Sequence, residues 1–330
     1  MNTRLFRHAL RAVALAAAMG MAGMAAADPV TVQTRPVPLD RSQPPSTKAG
    51  KLEYRGGIEL QSSDKRFGGF SSLWVSPDGR RMLTISDVSD WLTARLVYGP
   101  PNELIGIADA EMGRLVGIDG HPLPAQTFET DAEALEMASS GGIVVTFERN
   151  HRVWLYPAAT PPFSLAPRAL ALPPGLKDAP SNEGVEALAE LPDGRFLAVP
   201  EGLREGDAFV GWIGDGKVWQ KLTVASHGAY QPTDAKALPN GDVILLERRY
   251  NPLTGLGARL RLIPAHQIVP GGRLNGEELA DIAPPLSIDN FEGLGVRRGD
   301  GEWLIYIISD DNFQSVQRTY LMMFALPDAR

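Results

Sequence analysis

Carboxylates recur along this chain at two matching points of a short pattern, a spacing suited to holding a hard cation or a polar ligand. One set stands where apolar runs begin: Glu133, Glu183, Glu186, Asp234 and Glu292. The second stands where the following apolar run ends: Asp87, Glu148, Glu201, Glu247 and Asp310. Sites built from carboxylate oxygens favour calcium. Asp87, Glu133, Glu148, Glu201, Glu247, Glu292 and Asp310 are therefore the expected metal-holding residues, directly or through water, with Ca2+ as the expected cofactor. Arg149 and Arg248 each follow one of these acids, and His151 comes just after Arg149. A guanidinium can grip a phosphate or carboxylate through two parallel hydrogen bonds, and it can stabilise negative charge as it develops. A histidine or a free carboxylate such as Glu186 can serve as general base. Glu186, Arg149, Arg248 and His151 are the candidate catalytic residues. Each feature also has a plainer reading: a hydrated acidic rim, ion pairs within that rim, and a solvated loop histidine.

Other chemistries lack their signatures. There is no cysteine, hence no disulfide, thiol nucleophile or thiolate zinc site. His121, His151, His227 and His266 show no ligand spacing, which speaks against zinc. The Gly-x-Ser-x-Gly elbow of serine esterases is absent. Ser71 and Ser72 open the first repeat where other repeats carry acids, and packing or a hydrogen bond is their expected role.

The elements that position the acids are short strands. The repeats open at Phe70-Ser71-Ser72-Leu73, Asp131-Ala132-Glu133-Ala134-Leu135, Glu183-Gly184-Val185-Glu186-Ala187-Leu188, Pro232-Thr233-Asp234-Ala235 and Asn290-Phe291-Glu292-Gly293-Leu294. Each runs into a Gly-containing turn such as Pro77-Asp78-Gly79, Pro192-Asp193-Gly194 or Pro239-Asn240-Gly241. There Pro pre-sets one torsion and Gly accepts the positive φ of a tight reversal. Runs rich in β-branched and aromatic residues follow at 81–85, 143–147, 195–199, 242–246 and 303–308. Long helical periodicity is absent, so the class is all-β. Repeats of roughly 50 residues read as a radial array of small sheets, a β-propeller with five repeats visible and five or six blades. Residues 51–60 can close the ring as the outer strand of the last blade, and 109–130 could hide a sixth blade. In a hairpin the start of the first strand and the end of the second share one end. If the first strand of each blade lines the axis, the acids gather at one mouth of the channel.

Residues 1–27 read as a secretory signal peptide, with Arg4, Arg7 and Arg11, an apolar Ala/Met-rich stretch and small residues before Asp28. The protein is expected to be exported, periplasmic or secreted. The segment holds three of the 32 Lys+Arg and none of the 39 Asp+Glu, so its removal takes the net charge from −7 to −10. That balance argues against nucleic acid and anionic lipid as partners, and no other run is long and apolar enough for membrane insertion. Residues 28–50, rich in Pro, Ser, Thr and Gln, read as an extended leader, and 51–330 as a single propeller domain.

Across 51–326 the chain resembles the phytase-like family known for esterase-like activity of phytase. The resemblance is carried by Gly69-Phe70-Ser71-Ser72-Leu73 with Ile85-Ser86-Asp87, by residues 131–135 with Phe147-Glu148-Arg149, by Asn182-Glu183-Gly184-Val185-Glu186, by Leu246-Glu247-Arg248-Arg249-Tyr250 and by Asp289-Asn290-Phe291-Glu292-Gly293-Leu294. It implies a propeller and hydrolysis of a small-molecule ester or phosphoester. In β-propeller phytases calcium sits in an acidic channel with basic residues holding phosphate. Here the acids are kept, and Lys236 is the main channel lysine. Two functional classes follow as expectations: a calcium-dependent hydrolase working at the channel mouth, or a non-catalytic propeller that grips a ligand or partner protein there.

Overall fold

The structure is a computed structural model, and it describes residues 27–43, 46–125, 127 and 129–328. The expected signal peptide lies outside the described residues except for Ala27. Strands dominate among the described residues, with two short 3-10 turns there, at Leu176–Asp178 and Ala265–Gln267. They form five sheets of four to six strands, each opened by an inner strand: Phe70–Val75, Ala132–Met137, Val185–Glu190, Gln231–Ala237 and Asn290–Arg298. Consecutive inner strands pack side by side, and the fifth packs on the first, so the sheets are blades of a five-bladed propeller.

Both faces of each blade are apolar, because alternate residues of a strand face opposite neighbours. Ile305 and Ile307 join a cluster with Ile244 and Leu246 of blade 4. Tyr306 and Ile308 join one with Leu73 and Met82 of blade 1. Three further clusters fill the remaining gaps between neighbouring blades. The ring closes as expected: Leu52–Ser62, early in the chain, pairs with the late strand Thr319–Pro327 in blade 5.

Two expectations about boundaries are corrected. The stretch 28–50 is no free leader. Val32–Pro36 pairs with Leu52–Ser62, Asp28–Pro29 pairs with Glu103–Arg114, and Val37, Leu39 and Ala49 are buried. Its Pro-rich composition suits edge strands, where one face of the backbone needs no ladder partner. The stretch 109–130 holds no sixth blade; its first residues complete Glu103–Arg114, which pairs with Asp90–Gly99 in blade 1. No helix among the described residues is long and apolar enough to cross a membrane.

Candidate functional site

The same irregularity occurs at the same place in all five blades. Pairing between the first and second strands slips by one residue near the start of the inner strand. The inserted positions are Ser71, Glu133, Glu186, Thr233 and Glu292. A bulge of this kind twists the strand and re-aims a side chain. Three of the five re-aimed side chains are glutamates, and Glu133, Glu186 and Glu292 are all at least nine-tenths buried.

A second layer lies one step toward the mouth. Asp87, Glu148 and Glu201 donate their backbone N–H to the carbonyls of Gly69, Asp131 and Gly184, and Asp310 pairs with Asn290. The equivalent pair in blade 4 is Gln231 with Arg248, because Pro232 stands opposite Glu247. The second layer is therefore Asp87, Glu148, Glu201, Arg248 and Asp310. Glu247, expected among the metal-holding acids, is one residue out of register and so faces the other side of its blade. Its fully buried carboxylate accepts hydrogen bonds from Arg259 Nε at 2.8 Å and from Arg261 Nε and Nη2 at 2.8 and 2.7 Å. Those partners leave it no role at the mouth.

Blade 4 thus supplies a positive charge at the ring position where the other blades carry acids. Arg248 Nη2 lies 3.1 Å from Glu201 Oε1, its Nε lies 3.3 Å from Glu292 Oε1, and Nη1 donates to Asn290 Oδ1 at 3.3 Å. Acids on every side hold its guanidinium protonated more firmly than usual, against the opposing effect of burial. Burial pushes the proton affinities of Glu201 and Glu292 up, and Arg248 offsets this only in part.

The remaining acids have less help. Glu133 and Glu186 make no hydrogen bond or ion pair among the described residues. Burial raises both far above the ordinary carboxylate range; Glu186 and Glu148 add to the effect on Glu133, and Glu201 and Glu148 to that on Glu186. Burial moves Glu148 up to about 8 even though it accepts the N–H of Gly184. Burial, then Asp131 and Glu292, move Asp87 up to about 7, and its buried Oδ1 has no partner. Asp310 is raised by burial and by Glu292. Oxygens of Asp131, Glu133 and Glu148 all lie within 4.8 Å of one another. Hard carboxylate oxygens this close, with Glu133 lacking any hydrogen-bond partner among the described residues, fit a divalent oxygen-seeking cation such as calcium.

Of the candidate catalytic residues, Glu186 and Arg248 face the cluster. Arg149 is at its edge, ion-paired with Asp131 in a left-handed backbone conformation. His151 Nε2 lies 3.2 Å from the Pro180 carbonyl, while its buried Nδ1 lies against Gly184 without a hydrogen-bond partner. It is a neighbour of Glu148 beside Gly184. Asp131 was not among the expected ligands; it stands two residues before Glu133, at the position that Gly184 and Asn290 take in blades 3 and 5.

Beneath the bulges lies a buried polar floor; the sequence pointed to a hydrogen bond from Ser72 and to Lys236 in the channel, but not to their meeting at Asp234. Buried Asp234 accepts hydrogen bonds from Leu294 N at 2.8 Å, Ser72 Oγ at 3.1 Å and Lys236 Nζ at 2.8 Å. Ser72 Oγ in turn accepts the Leu135 N–H at 3.0 Å, and Lys236 Nζ lies 3.2 Å from Glu136. The floor therefore ties together blades 1, 2, 4 and 5. It also occupies Ser72 and Lys236 structurally. The signal for it was the Asp234-x-Lys236 spacing, which puts both side chains on one strand face.

Fold and site together define a five-bladed propeller with a carboxylate-lined mouth. The chain belongs to the Phytase-like family, described by esterase-like activity of phytase, whose model matches residues 65–313. No curated protein matches it. Among solved structures it is similar to a candidate gluconolactonase (13% identity, TM-score 0.42, covering 92% of this chain and 96% of that one). It is also similar to a Dyadobacter fermentans protein of unknown function (13%, 0.41, 89% and 90%). A third is virginiamycin B lyase from Staphylococcus aureus (8%, 0.41, 90% and 100%).

Proposed function

We propose that this protein is an exported, calcium-dependent hydrolase of an ester or phosphoester, working at the carboxylate-lined mouth. The observation that carries the reading is the pair Glu133 and Glu186, buried beside further acids and without a hydrogen bond or ion pair. Ionised carboxylates in that setting repel one another, and a divalent cation removes the repulsion. Asp131, Glu133 and Glu148 would hold the ion, with Asp87 and Asp310 on the neighbouring side. When bound, calcium supplies polarisation of the ester oxygen and a more acidic water.

The chain's own residues supply the rest. Arg248 orients an oxygen that gains negative charge. Glu186 takes the proton of the attacking water, whose oxygen bonds to the acyl carbon or phosphorus. The ester C–O or P–O bond breaks, and the leaving oxygen takes the proton back from the Glu186 carboxyl. Membership in a family described by esterase-like activity supports the same class of reaction, and residues 1–27 support export. Hydrolysis of p-nitrophenyl acetate and p-nitrophenyl phosphate, with millimolar calcium and with chelator, tests it. Turnover of at least one substrate that is lost with chelator is the expected result. No turnover in either condition leaves a ligand-binding propeller as the better reading.

A further inference from the structure

The mouth is acidic within and apolar at its rim. Two segments stand at the same end as the carboxylates: residues 311–318, directly after Asp310, and the tip of the hairpin that joins Val243–Asn251 to Gly255–Ile263. They expose Phe313 by 44%, Val316 by 78%, Tyr250 by 67% and Leu253 by 95%. Tyr250 shares a strand face with Arg248, two residues nearer the tip.

The placement of Phe313 is built rather than incidental. Its φ is 52° and that of Asn312 is 48°, left-handed values that are uncommon for a bulky residue and that cluster at ligand clamps. Acids of the mouth hold the segment there: Asp310 Oδ1 accepts the Asn312 N–H at 2.6 Å, and Asp311 Oδ1 accepts the Phe313 N–H at 3.0 Å. The ring lies against Gly69, and the Asp87 carboxylate lies on the same side of that glycine, so a Cβ there would collide with both. An aromatic ring therefore walls the mouth next to the unpartnered Asp87 Oδ1.

We propose that the mouth takes a non-anionic carboxylic ester bearing a flat apolar group, and that this group lies on Phe313. The proposal deepens the hydrolase reading and rests on it for turnover, although not for binding. Offset or edge contact with a phenyl ring favours a flat apolar group. The charge balance disfavours phosphate esters: Arg149 and Arg248 are both engaged by acids, and they are the two guanidinium groups set among the carboxyls of Asp87, Asp131, Glu133, Glu148, Glu186, Glu201, Glu292 and Asp310. One divalent cation held by Asp131, Glu133 and Glu148 still leaves carboxyls in excess over positive charge, and that excess disfavours a multiply charged anion while leaving an uncharged ester untouched.

The test is calorimetric binding of N-(1-naphthyl)acetamide, an uncleavable ester analogue, to the full chain in millimolar calcium. Acetamide and 1-naphthyl phosphate serve as comparisons. Phe313→Asn removes the ring while keeping a residue that tolerates left-handed φ. The naphthyl amide should bind at least roughly tenfold more tightly than either comparison, and Phe313→Asn should weaken it by roughly tenfold, the scale of one lost apolar contact. With 1-naphthyl acetate the variant's loss should appear in KM rather than kcat. If Phe313→Asn melts lower than the parent, Phe313→Leu, which keeps bulk without a flat ring, should still show a partial loss. Equal affinity of parent and variant, or tighter binding of naphthyl phosphate, overturns the proposal. Binding that depends on Phe313 without any turnover upholds the subsite and counts against the hydrolase reading.

Discussion

Glu186 is buried, re-aimed by a bulge and without a partner. Glu186→Gln keeps its shape and deletes its charge. Without calcium at pH 8 this variant should be more stable than the parent by about 1 kcal/mol or more, since one pKa unit of unfavourable ionisation is worth about 1.4 kcal/mol. Its turnover should fall by roughly 10²- to 10⁴-fold, the range for loss of a general base. Denaturant melts and a kcat measurement check the two halves separately. Glu247→Gln should behave in the opposite way. It leaves the buried Arg259 and Arg261 without their anion, so stability should drop by about 3–5 kcal/mol with the affinity for calcium unchanged. In the sequence Glu247 looked equivalent to Glu148 and Glu201, each closing an apolar run. Only the register separates them: Glu247 stands opposite Pro232 and Arg248 takes the ring position. One residue of slip is invisible in a pattern of period two when both neighbours are charged.

At the scale of elements, strands and turns were legible because their chemistry is local. Apolar runs bounded by Pro-Asp-Gly turns marked the hairpins, and Leu52–Ser62 was recognisable as a closing strand. The bulges were not legible, because an inserted residue shows only against its partner strand. Asp131 was passed over for the same reason, since its nearness to Glu133 and Glu148 depends on that insertion. The stretch 28–50 was misread from composition alone, although Leu39 at 0% and Val37 at 4% exposure show it inside the core. Deleting residues 28–49 should therefore destabilise the propeller by on the order of 5 kcal/mol, given about 1.5–3 kcal/mol per buried aliphatic side chain. A true leader could be removed without change in the denaturant midpoint, so the midpoint decides.

The whole molecule couples pH to stability through its mouth. Unfolded Asp and Glu release their protons near 3.8 and 4.5, whereas Asp87 does so at about 7 and Glu148 at about 8 in the folded state. Between those limits the native state holds more protons than the unfolded one, so stability falls as pH rises. Glu133, Glu186 and Asp310 are shifted in the same direction. Acids held low by partners, such as Asp64 at about 2, lose their contribution only below the unfolded value. In chelator, the melting temperature should therefore decline from pH 5 to pH 8 and continue to decline above it. Calcium should reverse this decline, because it stabilises the ionised mouth that alkaline pH creates.

That reversal is the most direct measurement of the account's centre. At pH 8, melting in millimolar calcium should exceed melting in chelator by several degrees, since an ion at a hundredfold excess over its Kd adds about 2.7 kcal/mol. Glu133→Gln should remove most of the difference. Identical melting of the parent protein in calcium and in chelator would contradict the claim that these carboxylates converge to hold a cation.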